Sequence, residues 1–408
     1  MALTAAAQVK LRKRLARAIA GGGPNGHPWI WRDAIAGAPR LPDGEVVLVA
    51  DPNGRPLARG FWDARAPIAV RVLAGPEADL EATVGERLRA ALERRLHFID
   101  RRETDAFRWV HGEGDRLPGI HVDVYGRAAS VRYDGGGARG FYRGLPARLA
   151  ATARALGLGV DVVVERRRRA GRDETDEREG AATTVAVVGR MPAGEIEVRE
   201  HGLRFGVDLA HGQKGGLFLD QRENRALVRA LAPGRRMLNL FAYTGGFSIY
   251  AAAGGARETV TLDLAAPAVA AARRNFARNA LPLDHARFVV DDAFRFLETE
   301  AAAGARYDLV VSDPPSFASS HRARDTGLRA YRRLHRLAVA VTAPGGTLCA
   351  ASCSSHVDRK AFLETVEAGA RDARRRFTLR ELRGAGPDHP VLPNFPEGDY
   401  LKFAVGVL

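Results

Sequence analysis

Hydrophobic and polar positions alternate in two different ways along the chain. In the first part, short apolar runs are separated by turn residues such as Asp51-Pro-Asn-Gly54. Asp, Asn, Gly and Pro between apolar runs are typical of β-hairpins, because these residues adopt the backbone conformations that tight turns require. The pattern predicts a small β-barrel with strands over residues 45–50, 57–62 and 67–73.

From about residue 202, apolar runs alternate regularly with longer segments of helical spacing. This alternation is typical of a parallel sheet that helices cover on both faces. Pro267 should lie in the first turn of the helix after the second strand, where its missing N–H is tolerated. The predicted strands cover residues 236–241, 258–263, 286–290, 307–312 and 346–351, followed by a final pair at 378–383 and 401–408.

The remaining segments complete a three-part organisation. Leu11, Leu15 and Ile19 recur at helical spacing, which predicts a short basic helix over residues 8–20. Between the barrel and the parallel sheet, the pattern predicts a helix over 80–101, a strand over 120–125 and an exposed, charged loop over 166–183. We therefore expect an α/β protein with three domains, over residues 1–75, 76–200 and 201–408.

Composition narrows the classes of function. The chain has 408 residues and a formal net charge of +14, so its surface should attract polyanions such as nucleic acid. Its two cysteines, Cys349 and Cys353, exclude a disulfide framework and a four-cysteine zinc site, and no metal is expected. No run approaches the roughly 20 apolar residues of a membrane span. We expect a cytoplasmic location and no membrane partner.

Four of the predicted parallel strands end in residues suited to ligand binding. The first ends in the turn Asn239-Leu-Phe-Ala-Tyr-Thr-Gly-Gly246, the second in Asp263, the third in Asp291-Asp292 and the fourth in Asp313-Pro-Pro315. Ligands of open α/β sheets bind at the carboxyl ends of the strands. Each acid also has a structural interpretation, since Asp263 and Asp292 could cap helices. A nicotinamide-binding domain would require Gly-x-Gly-x-x-Gly, which Thr244-Gly-Gly-Phe-Ser-Ile does not supply.

An ordered set of motifs resembles one family of enzymes. The spacing of the strand ends is similar to that of class I methyltransferases that use S-adenosylmethionine. Within them, the chain resembles the bacterial 23S ribosomal RNA cytosine-C5 methyltransferases that carry an N-terminal PUA domain. The matching segments are His27-Pro-Trp29, Leu57-Ala-Arg-Gly60, Gly114-Asp-Arg-Leu-Pro-Gly-Ile120, Gly216-Leu-Phe-Leu-Asp-Gln-Arg222, the Tyr-Thr-Gly-Gly-Phe turn, Asp313-Pro-Pro-Ser-Phe317, Ser352-Cys-Ser354, Asp388-His-Pro390, Pro396-Glu-Gly398 and Tyr400-Leu-Lys402.

The resemblance implies a PUA-like barrel, a linking α/β domain and a Rossmann-like methyltransferase domain. It implies transfer of a methyl group to C5 of a cytosine in RNA, with Cys353 as the nucleophile and Asp313 positioning cofactor or base. The methionine part of the cofactor would contact Asn239, Thr244 and Gly245, its ribose Asp263, and its adenine Asp292. Tyr243 would also contact the cofactor. Phe218 and Gln221 would close over it from the preceding segment.

RNA is the expected partner, and the chain could also form a homodimer. The residues expected to contact RNA are Trp29, Arg329, Tyr331 and Arg332. Arg329, Arg332 and Arg333, on the segment after Asp313-Pro-Pro315, are candidate sources of the charge that would lower the pKa of Cys353. Cys349 lies in mid-strand, where burial is expected. No cysteine follows Pro315, where a related branch has a second one, and Ser316 replaces a lysine that is common in the closer family.

Two other functions stay open. An amino-group methyltransferase would use Asp313-Pro-Pro to grip an exocyclic amine and would need no thiol. A ribosome assembly factor would bind RNA without catalysis, although intact residues at all four strand ends argue against this reading.

Overall fold

The protein is described by a computed structural model, which covers residues 7–12, 26–37, 39–168, 182–212, 216–318, 320 and 322–408. In the described residues, three sheets and one separate hairpin follow each other along the chain. No helix among these residues has the length and apolarity that crossing a membrane would require.

The N-terminal sheet contains five strands in the order β1-β3-β4-β5-β2. Strand β1 pairs in parallel with β3, and the other pairs are antiparallel. The predicted hairpin strands are confirmed with shifts of one residue. The strands are β1 (Ala7–Lys10), β2 (Trp29–Trp31), β3 (Val46–Ala50), β4 (Pro56–Trp62) and β5 (Ile68–Ala74).

The prediction of a basic helix over residues 8–20 is wrong for its first residues. Residues 7–10 form β1, and Leu11 makes a further bridge to Ile35. Val9 and Leu11 are both buried, which is the two-residue period of a strand. Pairing with β3 therefore overrides the local helical spacing, and residues 13–20 of the prediction lie outside the described residues.

The middle sheet has the order β10-β9-β8-β7-β6 and packs against the helix α1. Asp79 caps α1 by accepting hydrogen bonds from the backbone N–H groups of Glu81 and Ala82. The elements are α1 (Leu80–Phe98), β6 (Ala106–His111), β7 (Ile120–Tyr125), β8 (Ala128–Tyr133), α2 (Gly136–Phe141), α3 (Leu145–Ala155), β9 (Val162–Arg168) and β10 (Ala182–Val188).

Two expectations for this region need correction. The loop predicted over 166–183 begins and ends in strand, because Arg166 and Arg167 pair with Thr184 and Thr183; residues 169–181 lie outside the described part. The predicted boundary between residues 200 and 201 falls inside a hairpin of β11 (Ile196–Glu200) and β12 (Leu203–Val207). The hairpin shares one apolar cluster with Tyr125 of the middle sheet and Tyr250 of the following domain.

The C-terminal sheet has seven strands in the order β15-β14-β13-β16-β17-β19-β18. Its first five strands are parallel and β19 is antiparallel to both neighbours. All the predicted strands are present. They are β13 (Arg236–Leu240), β14 (Glu258–Asp263), β15 (Ala286–Val290), β16 (Tyr307–Ser312), β17 (Thr342–Ser352), β18 (Thr378–Arg383) and β19 (Lys402–Val407).

Helices cover this sheet on both faces, as predicted. Pro267 lies in the first turn of the helix after β14, where it was expected. The strand order reverses between β13 and β16, and the carboxyl edge at such a point is the usual ligand site. The helices are α4 (Arg222–Leu231), α5 (Gly246–Ala253), α6 (Ala266–Arg278), α7 (Ala293–Ala302), α8 (Arg324–Val341) and α9 (Arg359–Asp372).

Hydrogen bonds to Asp388 join the C-terminal domain to the middle sheet and α1, through the backbone N–H of Arg108 in β6 and the Arg95 guanidinium. Asp388 receives two hydrogen bonds from the Arg222 guanidinium, at 2.9 and 3.1 Å, and its backbone oxygen accepts one from Arg95 at 2.7 Å. Burial alone would raise the pKa of Asp388, but His389 and Arg222 lower it overall to below its usual range. This junction fixes the loop after β18 against β6, so the loop reaches the carboxyl edge of the sheet.

Candidate active site

The turn after β13 is held in a strained conformation. Phe241, Tyr243 and Gly245 have positive φ angles of 57°, 48° and 82°. The left-handed conformation costs a non-glycine residue about 1 kcal/mol or more, and such strain is concentrated at functional sites. A Cβ atom on Gly245 would lie 2.8 Å from Cβ of Ala272, so only glycine allows the turn to approach α6 this closely.

Asn239 is the last polar residue of β13 and is fully buried. Its side-chain amide donates a hydrogen bond to Oγ of Ser248 at 2.9 Å. Its side-chain oxygen is buried and accepts no hydrogen bond within the described part of the chain. Because an unsatisfied buried acceptor is costly, this oxygen is suited to a ligand that brings a donor.

Asp263 ties the end of β14 to the strained turn. One carboxylate oxygen accepts the Tyr243 backbone N–H at 2.8 Å, and the other accepts the Ala265 backbone N–H at 2.9 Å. The residue that caps α6 is Ala265, so Asp263 does not cap that helix as the structural interpretation would have it. A carboxylate offers about four acceptor positions, which leaves capacity for further donors.

Asp292 and Asp291 follow β15 and have local partners. Asp292 caps α7, because its carboxylate accepts the Arg295 backbone N–H at 3.0 Å, and its side chain is exposed. Asp291 forms an ion pair with the Arg295 guanidinium. Asp292 therefore caps the helix, as the structural interpretation anticipated. Its second carboxylate oxygen has no hydrogen-bond donor among the described residues.

The segment before α4 reaches the same edge of the sheet. Gln221 donates a hydrogen bond from its amide to the Asp313 carboxylate at 3.1 Å, and its oxygen accepts one from Asn224 at 2.6 Å. The Phe218 ring packs edge-on against the Tyr243 ring, with centroids 5.3 Å apart. The Thr244 carbonyl accepts a hydrogen bond from Asn275 at 3.1 Å. The structure thus brings together Phe218, Gln221, Asp313 and the glycine turn.

Cys353 directly follows β17, which lies next to β16, the strand that precedes Asp313, and it is half-buried. The hydroxyl of Ser352 donates to the Tyr331 hydroxyl at 2.9 Å, and the hydroxyl of Ser354 donates to the Ala318 carbonyl at 2.7 Å. The residues on both sides of Cys353 are therefore anchored, one to α8 and one to the segment after Asp313.

Cys349 has a different environment from Cys353. It lies within β17, opposite Val311 and Val405, and is fully buried among apolar side chains. Burial raises the pKa of its thiol to about 12. A buried neutral thiol is a poor nucleophile, which is the outcome expected for the mid-strand cysteine.

The arginines of α8 lie on its exposed face. Arg329 donates to Thr326 of the same helix at 2.9 Å, Arg332 forms two hydrogen bonds with Asp372 at 2.6 and 2.7 Å, and Arg333 pairs with Glu298. These partners direct the guanidinium groups along the surface. Tyr331 is fully buried, packed against Phe317 and His335. It supports the strand end from below and offers no surface to RNA in this structure.

Trp29 packs at the junction of all three parts of the chain. Its indole N–H donates to Glu113 at 2.7 Å, its ring contacts Phe395 with centroids 4.7 Å apart, and the Arg71 guanidinium lies 5.5 Å from its ring centroid. These contacts favour a role in joining the domains over base stacking. The neighbouring Trp31 is 45% exposed.

Two residues that received no role from the sequence, Tyr400 and Lys402, lie near the site. The Tyr400 hydroxyl donates to the Asp220 carboxylate at 2.6 Å, and both residues come from segments matched in the resemblance. Lys402 is buried beside Ser354. Their signal in the sequence was the Tyr400-Leu-Lys402 motif, but only the antiparallel pairing of β19 with β17 brings it to Cys353.

Family models agree with this geometry. A model described as S-adenosylmethionine-dependent methyltransferase matches residues 149–396, and a PUA-like domain model matches residues 9–74. The chain belongs to the S-adenosylmethionine-dependent methyltransferases. S-adenosylmethionine is therefore its cofactor, and the C-terminal sheet is the Rossmann-like domain of this methyltransferase.

Full-length relatives support the assignment of the methyltransferase family. The chain is 36% identical over 409 residues to a ribosomal RNA large subunit methyltransferase of Deinococcus radiodurans, with 98% of each chain covered. It is 35% identical over 386 residues to ribosomal RNA large subunit methyltransferase I of Aeromonas salmonicida, covering 92% of this chain and 94% of that one. The methyltransferase SMU.776, solved with SAH, shares the fold with a TM-score of 0.82 and 21% identity, over 99% of this chain and 100% of that one.

The residues at the carboxyl edge fit this cofactor. S-adenosylmethionine carries an ammonium group, ribose hydroxyls and an adenine amino group, all of which donate hydrogen bonds. The structure offers acceptors for such groups in the orphaned oxygen of Asn239 and the carboxylates of Asp263 and Asp292. The strained glycine turn lies between the first two, so the donor and acceptor chemistry is complementary.

Proposed function

We propose that the chain transfers a methyl group from S-adenosylmethionine to C5 of a cytosine in RNA, with large-subunit (23S) ribosomal RNA as the substrate. The observation that carries this proposal is the half-buried Cys353, anchored at the carboxyl end of β17 beside β16, the strand that precedes Asp313. An amino-group methyltransferase has no use for a thiol at this place.

Three observations support RNA as the substrate. The curated relatives, at 36 and 35% identity, are named ribosomal RNA large subunit methyltransferases. The formal net charge is +14, which favours a polyanion. A PUA-like domain precedes the catalytic part, and the exposed Arg329 and Arg332 of α8 lie on the helix that follows Asp313. Trp29 would contribute to RNA binding indirectly, because its contacts pack the PUA-like domain against the rest of the chain.

In the proposed cofactor site, Asn239, Tyr243, Thr244 and Gly245 surround the methionine part. Asp263 accepts hydrogen bonds from the ribose hydroxyls, and Asp292 accepts one from the adenine amino group while it caps α7. Phe218 and Gln221 cover the cofactor from the segment before α4. Gln221 also fixes Asp313, which orients the target base or the cofactor.

Cys353 provides the chemistry that cytosine itself lacks, because C5 is not nucleophilic enough to accept a methyl group directly. When bound, S-adenosylmethionine supplies a methyl group activated by a positively charged sulfur. The Cys353 thiolate adds to C6, which makes C5 nucleophilic. Once C5 has accepted the methyl group and the sulfonium sulfur has left as a neutral thioether, a base removes the C5 proton, the bond between C6 and the Cys353 sulfur breaks, and the thiolate is regenerated.

RNA that carries 5-fluorocytidine at the target position tests this mechanism. Fluorine cannot leave as a proton does, so the adduct should persist as a denaturant-resistant complex of protein and RNA that forms only with S-adenosylmethionine. We expect this complex with the native protein and with Cys349→Ala, and no complex with Cys353→Ala. Normal methylation of cytidine by Cys353→Ala would exclude the thiolate mechanism.

That last result would favour the second candidate, amino-group transfer at Asp313-Pro-Pro315, for which the Gln221–Asp313 hydrogen bond provides a positioned carboxylate. Mapping 5-methylcytosine in ribosomal RNA with and without the protein identifies the modified atom and nucleotide. A protein that binds S-adenosylmethionine and RNA but modifies neither base nor amine would instead be an assembly factor.

A further inference from the structure

Lys402 lies against the strand end that carries Cys353. It is the first residue of β19 and pairs with Ser352, the last residue of β17. Its side chain is almost fully buried, at 1% exposure. The ammonium group donates to the backbone oxygen of Ser354 at 2.6 Å and to that of Tyr400 at 2.7 Å. The cation is thus bonded to the residue immediately after Cys353.

The ammonium group has no carboxylate partner within ion-pair distance among the described residues. Asp399 is occupied by the Arg359 guanidinium, with hydrogen bonds of 2.7 and 2.8 Å, and Asp358 caps α9 through the Ala361 backbone N–H at 2.8 Å. A buried cation held only by carbonyl groups is expensive to maintain, whereas a neutral side chain could fill the same space. Such a cost suggests that the charge serves a function.

Lys402 and Cys353 act on each other electrostatically. Burial lowers the pKa of Lys402 to about 8, and interaction with Cys353 is the largest influence that acts in the opposite direction. Since the interaction between two groups is reciprocal, the ammonium must favour the thiolate form of Cys353 by the same amount. A cation beside a cysteine is the usual means of producing a thiolate at neutral pH.

We propose that Lys402 is a positioning residue for the proposed reaction, with its ammonium group stabilising the Cys353 thiolate that attacks C6. The inference therefore rests on the proposed function. In the preparatory step the S–H bond of Cys353 breaks and its proton passes to water, while Lys402 keeps its own proton. The ammonium then replaces solvent as the partner of the negative sulfur.

Other ionisable groups around the pair are less suited to this role. Burial raises the pKa of both Tyr331 and Tyr400, so both hydroxyls are neutral at physiological pH. Arg329, Arg332 and Arg333 are exposed on α8, as described above. The ionisable groups that interact with Cys353 or Lys402 from the surrounding elements are Tyr331, Tyr400, Asp358, Arg359 and Asp399.

The pH dependence of thiol alkylation tests the proposal without RNA or cofactor. In a Cys349→Ala background, iodoacetamide modifies Cys353 alone, and its rate against pH gives the thiol pKa. We expect Lys402→Met to raise this pKa by at least about one unit, so that alkylation at neutral pH slows about tenfold. Lys402→Arg, which keeps the charge, should stay closer to the native value.

The exposed Lys360 on α9 provides the matched control. Lys360→Met should leave the thiol pKa unchanged, and S-adenosylmethionine affinity should be native in all variants if they are folded. An unchanged thiol pKa in folded Lys402→Met would overturn the proposal and leave Lys402 a structural residue. A shifted thiol pKa in Lys402→Met, together with no 5-fluorocytidine adduct in the native protein, would overturn the proposed function. The role of Lys402 in lowering the pKa of the Cys353 thiol would still stand.

A second measurement covers the case in which Lys402→Met does not fold. The chain contains five lysines, so the side-chain nitrogen resonances of labelled protein can be assigned by single substitutions. Reciprocity requires the Lys402 ammonium to titrate at lower pH in Cys353→Ala than in the native protein. Identical titration in the two proteins would refute the interaction.

Discussion

The carboxyl edge and the interior of the C-terminal sheet are built by the same strands and differ sharply in chemistry. The interior of β17 holds Cys349, buried and opposite valines, with its thiol pKa raised to about 12. Four residues later, the edge holds Cys353, half-buried and flanked by Lys402. Exposure to water and the neighbouring charge both change within these four residues, and this difference distinguishes the buried thiol from the thiol that we propose as the nucleophile.

Other strands repeat this contrast. Leu238 and Val260 fill the core, while polar side chains near the ends of β13 and β14 hold the site together. Asn239 donates a hydrogen bond to Ser248 of α5, and Asp263 accepts one from the strained turn. Polar groups in the interior are a cost that packing must compensate, whereas polar groups at the edge have capacity for a ligand. This difference predicts which substitutions damage activity and which damage stability.

The largest expected difference is between the two cysteines. Cys353→Ala should reduce methyl transfer by at least about 10³-fold, because removal of a covalent nucleophile leaves only binding and orientation. Cys349→Ala should reduce the free energy of unfolding by about 1 kcal/mol and leave the rate within a few-fold. Steady-state methylation and urea unfolding of both variants measure this. Equal losses of activity would mean that the edge and the interior do not differ in the way proposed.

A smaller effect is expected in the pH dependence of stability, and His335 is its source. His335 is fully buried in α8, and one of its ring nitrogens has no partner among the described residues. Burial lowers the pKa of His335 to about 4, so its neutral form is favoured in the folded state. The free energy of unfolding therefore has its full value above the unfolded pKa of about 6.5. It decreases as the pH falls towards 4, by roughly 3 kcal/mol in total, because the unfolded chain takes up a proton that the folded protein excludes. Urea unfolding at pH 7 and 4.5 measures it.

His335→Leu should flatten this pH dependence, and the exposed His285→Leu provides the control. If the free energy of unfolding of the His335→Leu variant depends on pH as in the native protein, the interior tolerates a charged imidazole. That result would weaken the contrast with the edge.

The smallest expected effect concerns Asp263. Asp263→Ala should weaken S-adenosylmethionine binding by about 1.5–3 kcal/mol, because charge-assisted hydrogen bonds to the ribose and to the turn are lost. The matched control is Asp308→Ala, near the opposite end of the sheet, where Asp308 also accepts a backbone N–H, from Arg236 at 2.8 Å. Isothermal titration calorimetry should show a loss for the first variant only. Unchanged affinity in a folded Asp263→Ala protein would remove Asp263 from the site.

Much of the sheet could be predicted from the sequence because its strands are short apolar runs that end in Asp, Asn or Pro. The bounds of β14, β15 and β16 agree with the prediction, and the acids of their ends lie at one edge. The prediction failed where pairing partners decide the structure. Val9 and Leu11 suit a helix or a strand locally, and the parallel neighbour β3 selects the strand. Arg166 and Arg167 gave no strand signal, and pairing with β10 extends β9 through them.

The sequence by itself determined the strand ends, the family and the two cysteines, since these depend on residue type and on spacing along the chain. Only the tertiary structure decided which cation lies beside the thiol and which aromatic residues face solvent. Lys402 is 49 positions from Cys353, and the arginines nearer in sequence are directed along the surface of α8. Antiparallel pairing of β19 with β17 places the distant lysine there, because hydrogen bonds between strands join residues irrespective of their separation along the chain.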